Sequence, residues 1–275
     1  MEILNNIFEN IKDASNYKSE LNEFYSNSDN INVRKSIEDI LSNKTVNDID
    51  FFSLLDDKIG AIRLACLEDL FHTIKYFDEM GADFHELDFS DNNCIHWASE
   101  SGSVRILDFM IEKNVNLHQK NYIGDTGLIG AVSKNHIEIV RRLVNLGLNV
   151  NDSSKCINVL NLACDHGYKE LIDYFVETVG VDIFFKDKYD RNALHYACLG
   201  GFTNIAEFLI DKGMNVQELD TYKMNCLHMA ACSGSIECIE MLIEKGNYLK
   251  SIFATIIKRM IWYIIDIVNN SFIKL

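Results

Sequence analysis

The sequence predicts an all-α fold, a solenoid of about six helix-turn-helix repeats with short hairpin turns, flanked by a helical segment at each end. A period of 33 residues carries this prediction, and it appears independently in two series of small residues. The first series contains glycine or asparagine, and the second contains alanine. The members are Gly81, Asn114, Gly147, Gly180, Gly213 and Gly246, and then Ala65, Ala98, Ala131, Ala163, Ala197 and Ala230.

The glycine series predicts where helices end. The residue just past a helix C-terminus often adopts left-handed backbone geometry, which glycine and asparagine tolerate. Two residues later in each repeat comes a short polar side chain of the kind that bonds nearby backbone in turns. These residues are Asp83, Asn116, Asn149, Asp182 and Asn215. Each helix is therefore expected to lead into a turn.

The alanine series predicts a short first helix in every repeat. Small residues allow close helix packing, and a branched apolar residue stands three positions before each alanine, as Ile95 does before Ala98. A second, amphipathic helix follows, with apolar residues at three-to-four spacing in segments such as 137–144 and 236–243. Two short helices cannot close a core alone, so the repeats must stack on their neighbours.

These residues resemble the ankyrin repeat, whose pattern includes a T-P-L-H-x-A segment and a later G-A-D-V-N-like turn. The matching segments are Gly81-Ala82-Asp83, Cys94-Ile95-His96-Trp97-Ala98, Ala193-Leu194-His195-Tyr196-Ala197 and Cys226-Leu227-His228-Met229-Ala230. The resemblance implies an ankyrin domain over 57–248, with repeats at 57–87, 88–120, 121–152, 153–186, 187–219 and 220–248. Asparagine often replaces the family's Thr of the Thr-Pro pair, and its side chain is expected to cap the helix instead. The composition and the degenerate repeats also resemble the ankyrin proteins of giant amoeba-infecting viruses, with AT-rich intracellular parasites as the alternative source.

Composition excludes some classes of partner. The chain has 275 residues, 48% hydrophobic content and a net charge of −15, so it can bury a core but offers no basic stripe for nucleic acid. Proline is absent. The N-terminus shows no secretory leader, which predicts an intracellular, cytoplasmic protein, in the host cytoplasm if the chain is viral. The eight cysteines are accordingly expected to be reduced.

The two ends carry open alternatives. Residues 1–56 are expected to form a helical segment, either a cap on the first repeat or an F-box-like element. The second alternative rests on the opening 2–8, which resembles the E-I-L-x-x-I-F start of an F-box. Residues 249–275 predict an apolar C-terminal helix. A cap is favoured over a membrane span because Lys258, Arg259 and Asp266 interrupt it, and a frameshifted tail is the third alternative.

No residue set predicts catalysis, a cofactor or a metal site. His96, His195 and His228 are separated by multiples of the repeat, so each imidazole is expected to bond backbone in neighbouring turns. The cysteines include no C-x-x-C pair, and most occupy repeat positions as small buried hydrophobes. The segment 124–130 lacks the lysine of a phosphate loop and is interpreted as a turn entering a helix. Adjacent Asp165 and His166 do not face each other on a helix.

Exposed positions carry the functional prediction, a scaffold that binds a protein partner, including one from a host cell. The hairpin tips are residues 89–90, 122–123, 154–155, 188–189 and 221–222, and four of the five carry an aromatic residue of the kind that favours binding hot spots. The ends of the first helices are expected on the concave face beside them. The candidate residues are Phe89, Tyr122, Lys155, Tyr189, Tyr222, Glu100, Lys134, Asp165 and Leu199. In the alternative, the aromatic tips only pack on one another. A monomer is expected, with no nucleic-acid or membrane partner.

Overall fold

The computed structural model describes residues 58–151 and 157–245, which form twelve α-helices and contain no β-strand. The predictions for residues 1–56, 154–155 and 249–275 lie outside the described residues. The chain divides into two compact units, one up to Leu148 and the other from Asn149. The first unit contains α1 Lys58–Leu67, α2 Phe71–Glu79, α3 Cys94–Ser101, α4 Val104–Glu112, α5 Gly127–Ser133 and α6 Ile137–Asn145.

The second unit repeats the same arrangement of paired helices. It contains α7 Val159–His166, α8 Lys169–Asp173 with a π-helical continuation Tyr174–Val179, α9 Ala193–Leu199, α10 Thr203–Asp211, α11 Cys226–Ser233 and α12 Ile236–Lys245. In both units the first helix of each repeat packs on the first helix of the next. The second helix of each repeat packs against its own first helix. The all-α repeat solenoid predicted from the sequence is confirmed.

The alanine series and the glycine/asparagine series occupy the structural positions that the 33-residue period predicts. All six alanines are fully buried, which lets neighbouring first helices approach closely. Gly81, Asn114, Gly147, Gly180 and Gly213 all have positive φ angles, from 59° to 96°, at the ends of the second helices. The polar residue two positions later accepts a hydrogen bond from the backbone N–H two residues further on, as Asp83 Oδ1 does from His85 at 2.8 Å. The same bond recurs at Asn116, Asn149, Asp182 and Asn215.

One irregularity of the sequence period has a structural cause. Gly180 comes seventeen positions after Ala163, whereas Asn114 comes sixteen positions after Ala98. The extra residue falls in the second helix of the fourth repeat, which winds as a π-helical turn from Tyr174 to Val179. A π turn closes its hydrogen bond over one more residue than an α turn, so it accommodates the additional residue within the helix. The helix therefore still ends on a left-handed glycine, Gly180.

Ion pairs connect successive second helices within each unit. Arg142 on α6 bonds Asp108 on α4 at 2.7 Å, and Lys245 on α12 bonds Asp211 on α10 at 3.0 Å. Lys113 pairs likewise with Asp78, and Lys212 with Glu177. These side chains are all at least partly exposed, so each pair contributes about 0–1 kcal/mol and the buried apolar core holds the repeats together. In the described part of the chain, no helix has the length and apolar character needed to cross a bilayer.

Candidate functional site

Three of the first helices, α3, α9 and α11, begin with a cap built by an asparagine and a histidine three residues later. Asn192 Oδ1 accepts from the His195 backbone N–H at 3.1 Å, while the Asn192 backbone N–H donates to His195 Nδ1 at 3.4 Å. Nε2 of His195 reaches the Glu218 carbonyl of the next repeat at 3.1 Å. His96 makes the same contacts with Asn93 and the Asp125 carbonyl. The predictions of asparagine caps and of backbone-bonded histidines are confirmed at both sites, which makes these imidazoles structural.

The fourth repeat lacks this histidine. Asn161 stands in its place, and its backbone N–H donates to Asn158 Oδ1 at 2.8 Å, which preserves half of the cap. Because the asparagine side chain is shorter, its Nδ2 lies 3.5 Å from the Arg191 carbonyl oxygen, which is a long hydrogen bond. Among the described residues, the buried Asn158 Nδ2 and Asn161 Oδ1 find no hydrogen-bond partner. The fourth repeat therefore contains a local deficit of buried hydrogen bonds.

Replacing Asn161 by histidine is expected to stabilise the second unit by about 1 kcal/mol, because the imidazole can complete the cap and donate to the Arg191 carbonyl. Urea unfolding followed by circular dichroism measures the change. The reverse substitution, His195→Asn, is the matched control and should destabilise by a similar amount. An Asn161→His protein no more stable than the parent would show that this site cannot accept the cap.

Burial of the cap histidines makes folding sensitive to acid. Desolvation lowers the pKa of His96 and of His195 below the ordinary value, and hydrogen bonds to the Asp125 and Glu218 carbonyls oppose the effect. A lowered folded-state pKa means that the stability is fully present above the unfolded-state value of about 6.5 and is lost as pH falls below it. When the pH is lowered below about 6.5, the urea concentration at the unfolding midpoint should decrease. We expect this decrease to be smaller in a His96→Asn/His195→Asn protein than in the parent. Parallel pH profiles would contradict this assignment.

The other motifs that resemble chemical sites are structural. The segment 124–130 forms a turn and then α5, as predicted, and a Cβ at Gly127 would lie 2.9 Å from Ser99 Oγ, so a larger residue there would have to displace that side chain. The seven described cysteines are free thiols, and all but Cys232 are buried. Burial raises the pKa of the Cys164 thiol, which keeps it protonated and unreactive. No His, Cys, Asp and Glu grouping within 58–151 and 157–245 has the arrangement of a metal site.

Each described hairpin turn is built on one buried or half-buried anchor side chain that the sequence analysis missed. Asp187 Oδ1 accepts from the backbone N–H groups of Tyr189 and Arg191, both at 2.8 Å, and Asp220 does the same for Tyr222 and Met224. Asp88 and Asn121 anchor the hairpins of the first unit in the same way. The sequence does contain a pattern that could have identified these anchors, because the four anchor positions are separated by multiples of 33 residues.

The anchored turns hold the aromatic tip residues out toward solvent. Phe89 is 95% exposed, Tyr222 64%, Tyr122 62% and Tyr189 36%. In the second unit, the rings of Tyr189 and Tyr222 lie 6.2 Å apart, so these two tips pack partly on each other while most of the Tyr222 surface stays open. Lys155, the candidate at the remaining tip, lies outside the described residues. Phe89 and Tyr122 do not form such a ring pair within the described first unit.

The candidate residues at the ends of the first helices have separate surroundings. Glu100 and Lys134 face each other in the first unit, with carboxylate and ammonium 3.8 Å apart and both half exposed. Asp165 is half-buried at the end of α7, where burial raises the pKa of its carboxyl. Leu199 is half-buried at the end of α9. Nearby, the Tyr196 hydroxyl donates to Asp187 Oδ2 at 2.6 Å and so braces the adjacent hairpin.

A family model for ankyrin repeats in three copies matches residues 62–154 and 160–251. The chain belongs to the ankyrin-repeat family. Ankyrin repeats generally mediate protein–protein interaction, and the family is typically non-enzymatic. The resemblance stated from the sequence is therefore confirmed.

Curated relatives match part of this chain and are longer proteins. An ankyrin repeat protein of Acanthamoeba polyphaga mimivirus is 25% identical over 154 residues, which are 46% of this chain and 31% of the relative. The expected likeness to giant-virus ankyrin proteins is thus confirmed at low identity. An L-asparaginase of Dirofilaria immitis is 24% identical over 140 residues, covering 50% of this chain and 24% of that protein. The chain spans a third or less of the length of these curated relatives.

A solved structure shares the fold. A chain in the complex of the predatory endopeptidase Bd0816 of Bdellovibrio bacteriovorus with the immunity protein Bd3460 superimposes with a TM-score of 0.57 at 22% identity. The match covers 67% of this chain and 97% of that one. At this identity the likeness establishes the ankyrin fold alone.

Proposed function

We propose that this ankyrin-repeat protein is a non-catalytic scaffold that binds a partner protein through its hairpin tips and the adjoining ends of its first helices. The observation that supports the proposal is the set of exposed aromatic tips on anchored turns. Exposing an aromatic ring to water is unfavourable, and rigid aromatic side chains are enriched at the centres of interfaces. Anchoring of the turns by Asp88, Asn121, Asp187 and Asp220 reduces the entropy lost on binding. We propose that the partner is intracellular, in the host cytoplasm if the chain is viral.

Affinity capture from host cells followed by mass spectrometry tests this function. The bait is the full chain, compared with a tip variant in which Phe89, Tyr122, Tyr189 and Tyr222 are all serine. A matched control replaces the exposed apolar residues Leu146 and Ile236, which lie on or next to second helices, by serine. We expect specific partners to be lost with the tip variant and kept with the control, while thermal unfolding of all three proteins stays similar. Partners captured equally by the tip variant would overturn the proposal.

A second candidate function is a substrate adaptor for a ubiquitin ligase. It is favoured by the F-box-like opening 2–8, which lies outside the described residues. Pull-down with a ubiquitin-ligase linker protein tests it, using the full chain and a chain that lacks residues 1–25. Association that survives this deletion would eliminate the adaptor function and leave the scaffold function intact.

A further inference from the structure

Two junctions between neighbouring repeats each contain a pair of buried cysteines. The Cys66 thiol on α1 contacts the Cys94 thiol at the start of α3. The Cys198 thiol on α9 contacts the Cys226 thiol at the start of α11 in the same way. All four side chains are at most 1% exposed, and the second pair comes four 33-residue repeats after the first. A buried dithiol therefore recurs at the same position of the first and last junctions between described repeats.

The junction between the second and third repeats shows how closely side chains at these two positions approach. Ser99 and Gly127 occupy the same two positions there. A Cβ on Gly127 would lie 2.9 Å from Ser99 Oγ, which is one bond from the Ser99 Cβ. The two Cβ positions are thus about 4.5 Å apart or less, and cysteines joined by a disulfide have Cβ atoms about 3.5–4.5 Å apart. The geometry of the repeat fits a disulfide between these positions.

A third cysteine contacts the second pair. The Cys238 thiol on α12 is buried and contacts that of Cys198. Because Cys226 and Cys238 both belong to the sixth repeat, a disulfide from Cys198 to either of them joins the fifth repeat to the sixth.

The junction between the fourth and fifth repeats contains only one of the two cysteines. Cys164 stands at the position that Cys66 occupies in the first repeat, but the facing position is Ala193. Both side chains are fully buried. This junction is therefore an internal control, in which the same buried thiol faces an alanine.

We propose that hydrogen peroxide oxidises these dithiols to disulfides that join the first repeat to the second and the fifth repeat to the sixth. One thiolate attacks a peroxide oxygen and breaks the O–O bond, which gives a sulfenic acid and water. The second thiol attacks the sulfenic sulfur, forms the S–S bond and releases a second water. The two thiols thus supply the two electrons that reduce the peroxide. This modification does not depend on partner binding.

Burial makes the oxidation slow and conditional. Desolvation raises the pKa of the Cys66 thiol, so the reactive thiolate is rare in the folded protein. Peroxide reaches the pair when the junction opens locally. A reducing cytosol keeps such thiols reduced, whereas sustained peroxide traps the disulfide. Once formed, the disulfide opposes separation of the two repeats.

Thiol counting and disulfide mapping by mass spectrometry test the proposal on the full chain. The background is Cys156→Ser/Cys232→Ser, because Cys232 is exposed and Cys156 lies outside the described residues. After peroxide treatment and alkylation in denaturant, we expect about four of the six remaining thiols to be lost to disulfides at the two junctions. Cys164 should stay a free thiol. The urea midpoint should rise on oxidation and return with dithiothreitol.

Substitutions at the facing position provide matched variants. Cys94→Ala copies the residue found at Ala193 and should leave Cys66 a free thiol after peroxide treatment. Ala193→Cys should bring Cys164 into a new disulfide, and circular dichroism checks that this variant keeps its helices. The proposal is overturned if neither junction of the background protein forms a disulfide, if disulfides form only in urea, or if Cys164 stays free in the folded Ala193→Cys protein.

Discussion

Replacing Asp187 by alanine is expected to destabilise the second unit by about 2–4 kcal/mol. The carboxylate is buried and accepts three hydrogen bonds, from the Tyr189 and Arg191 backbone N–H groups and from the Tyr196 hydroxyl at 2.6 Å. Alanine leaves these donors without a partner at the base of a turn. Urea unfolding monitored by circular dichroism measures the loss, and tryptic cleavage near the hairpin should accelerate.

Asparagine provides the matched control, because Asn121 anchors the equivalent turn of the first unit through Oδ1. Asp187→Asn retains an acceptor for the two backbone groups and is expected to cost about 1 kcal/mol or less. An alanine variant as stable as the asparagine variant would mean that the turn does not depend on its anchor.

Replacing Gly167 by alanine is expected to cost a comparable amount, about 2–4 kcal/mol, for two separable reasons. Gly167 ends α7 with a φ of 76°, which strains any residue with a Cβ. A Cβ built there would also collide with the Phe202 ring of the next repeat. Crowding of this kind costs about 1–3 kcal/mol in addition to the backbone strain. Thermal unfolding measures the sum.

Two other glycines separate these contributions. Gly213→Ala should lose stability through backbone strain alone, because its φ is 96° and nothing lies within 4 Å of a Cβ at that position. Gly200→Ala should lose stability through steric collision alone, because its φ is −74° and a Cβ there would collide with the Phe202 ring. In a Phe202→Ala background, the cost of Gly167→Ala should fall to about 1 kcal/mol, that of strain only. Equal costs for Gly167→Ala in both backgrounds would exclude the ring contact.

The fold was largely predictable because its main determinants are local and periodic. The burial of Ala98 and its equivalents and the positive φ of Gly81 and its equivalents follow from residue type and spacing. The roles of His96 and His195 followed from their position in the same period. The turn anchors Asp187 and Asp220 were not predicted although their spacing is just as regular, because an aspartate in a turn can equally be exposed, and its burial depends on tertiary packing.

The contacts around the Tyr189 and Tyr222 rings could not be predicted from the sequence, for a physical reason. Whether Tyr189 and Tyr222 meet depends on the rotation between successive hairpins, which no local pattern encodes. The position of Arg191 against both rings depends in turn on its bond to Asp220. The hydrogen-bond deficit at Asn161 required knowing that its side chain does not fully reach the Arg191 carbonyl. The binding residues remain a prediction.

The histidine caps also determine how evenly cooperativity is distributed along the second unit. In a linear array, folding free energy is a sum of module terms and nearest-neighbour coupling terms. The bond from His195 to the Glu218 carbonyl belongs to the coupling terms, because it joins one module to the next. Asn161 provides a weaker bond at the preceding junction. The coupling free energy is therefore lower at the junction of the fourth and fifth repeats than at that of the fifth and sixth. A bound partner that bends the unit would do so at the least cost there.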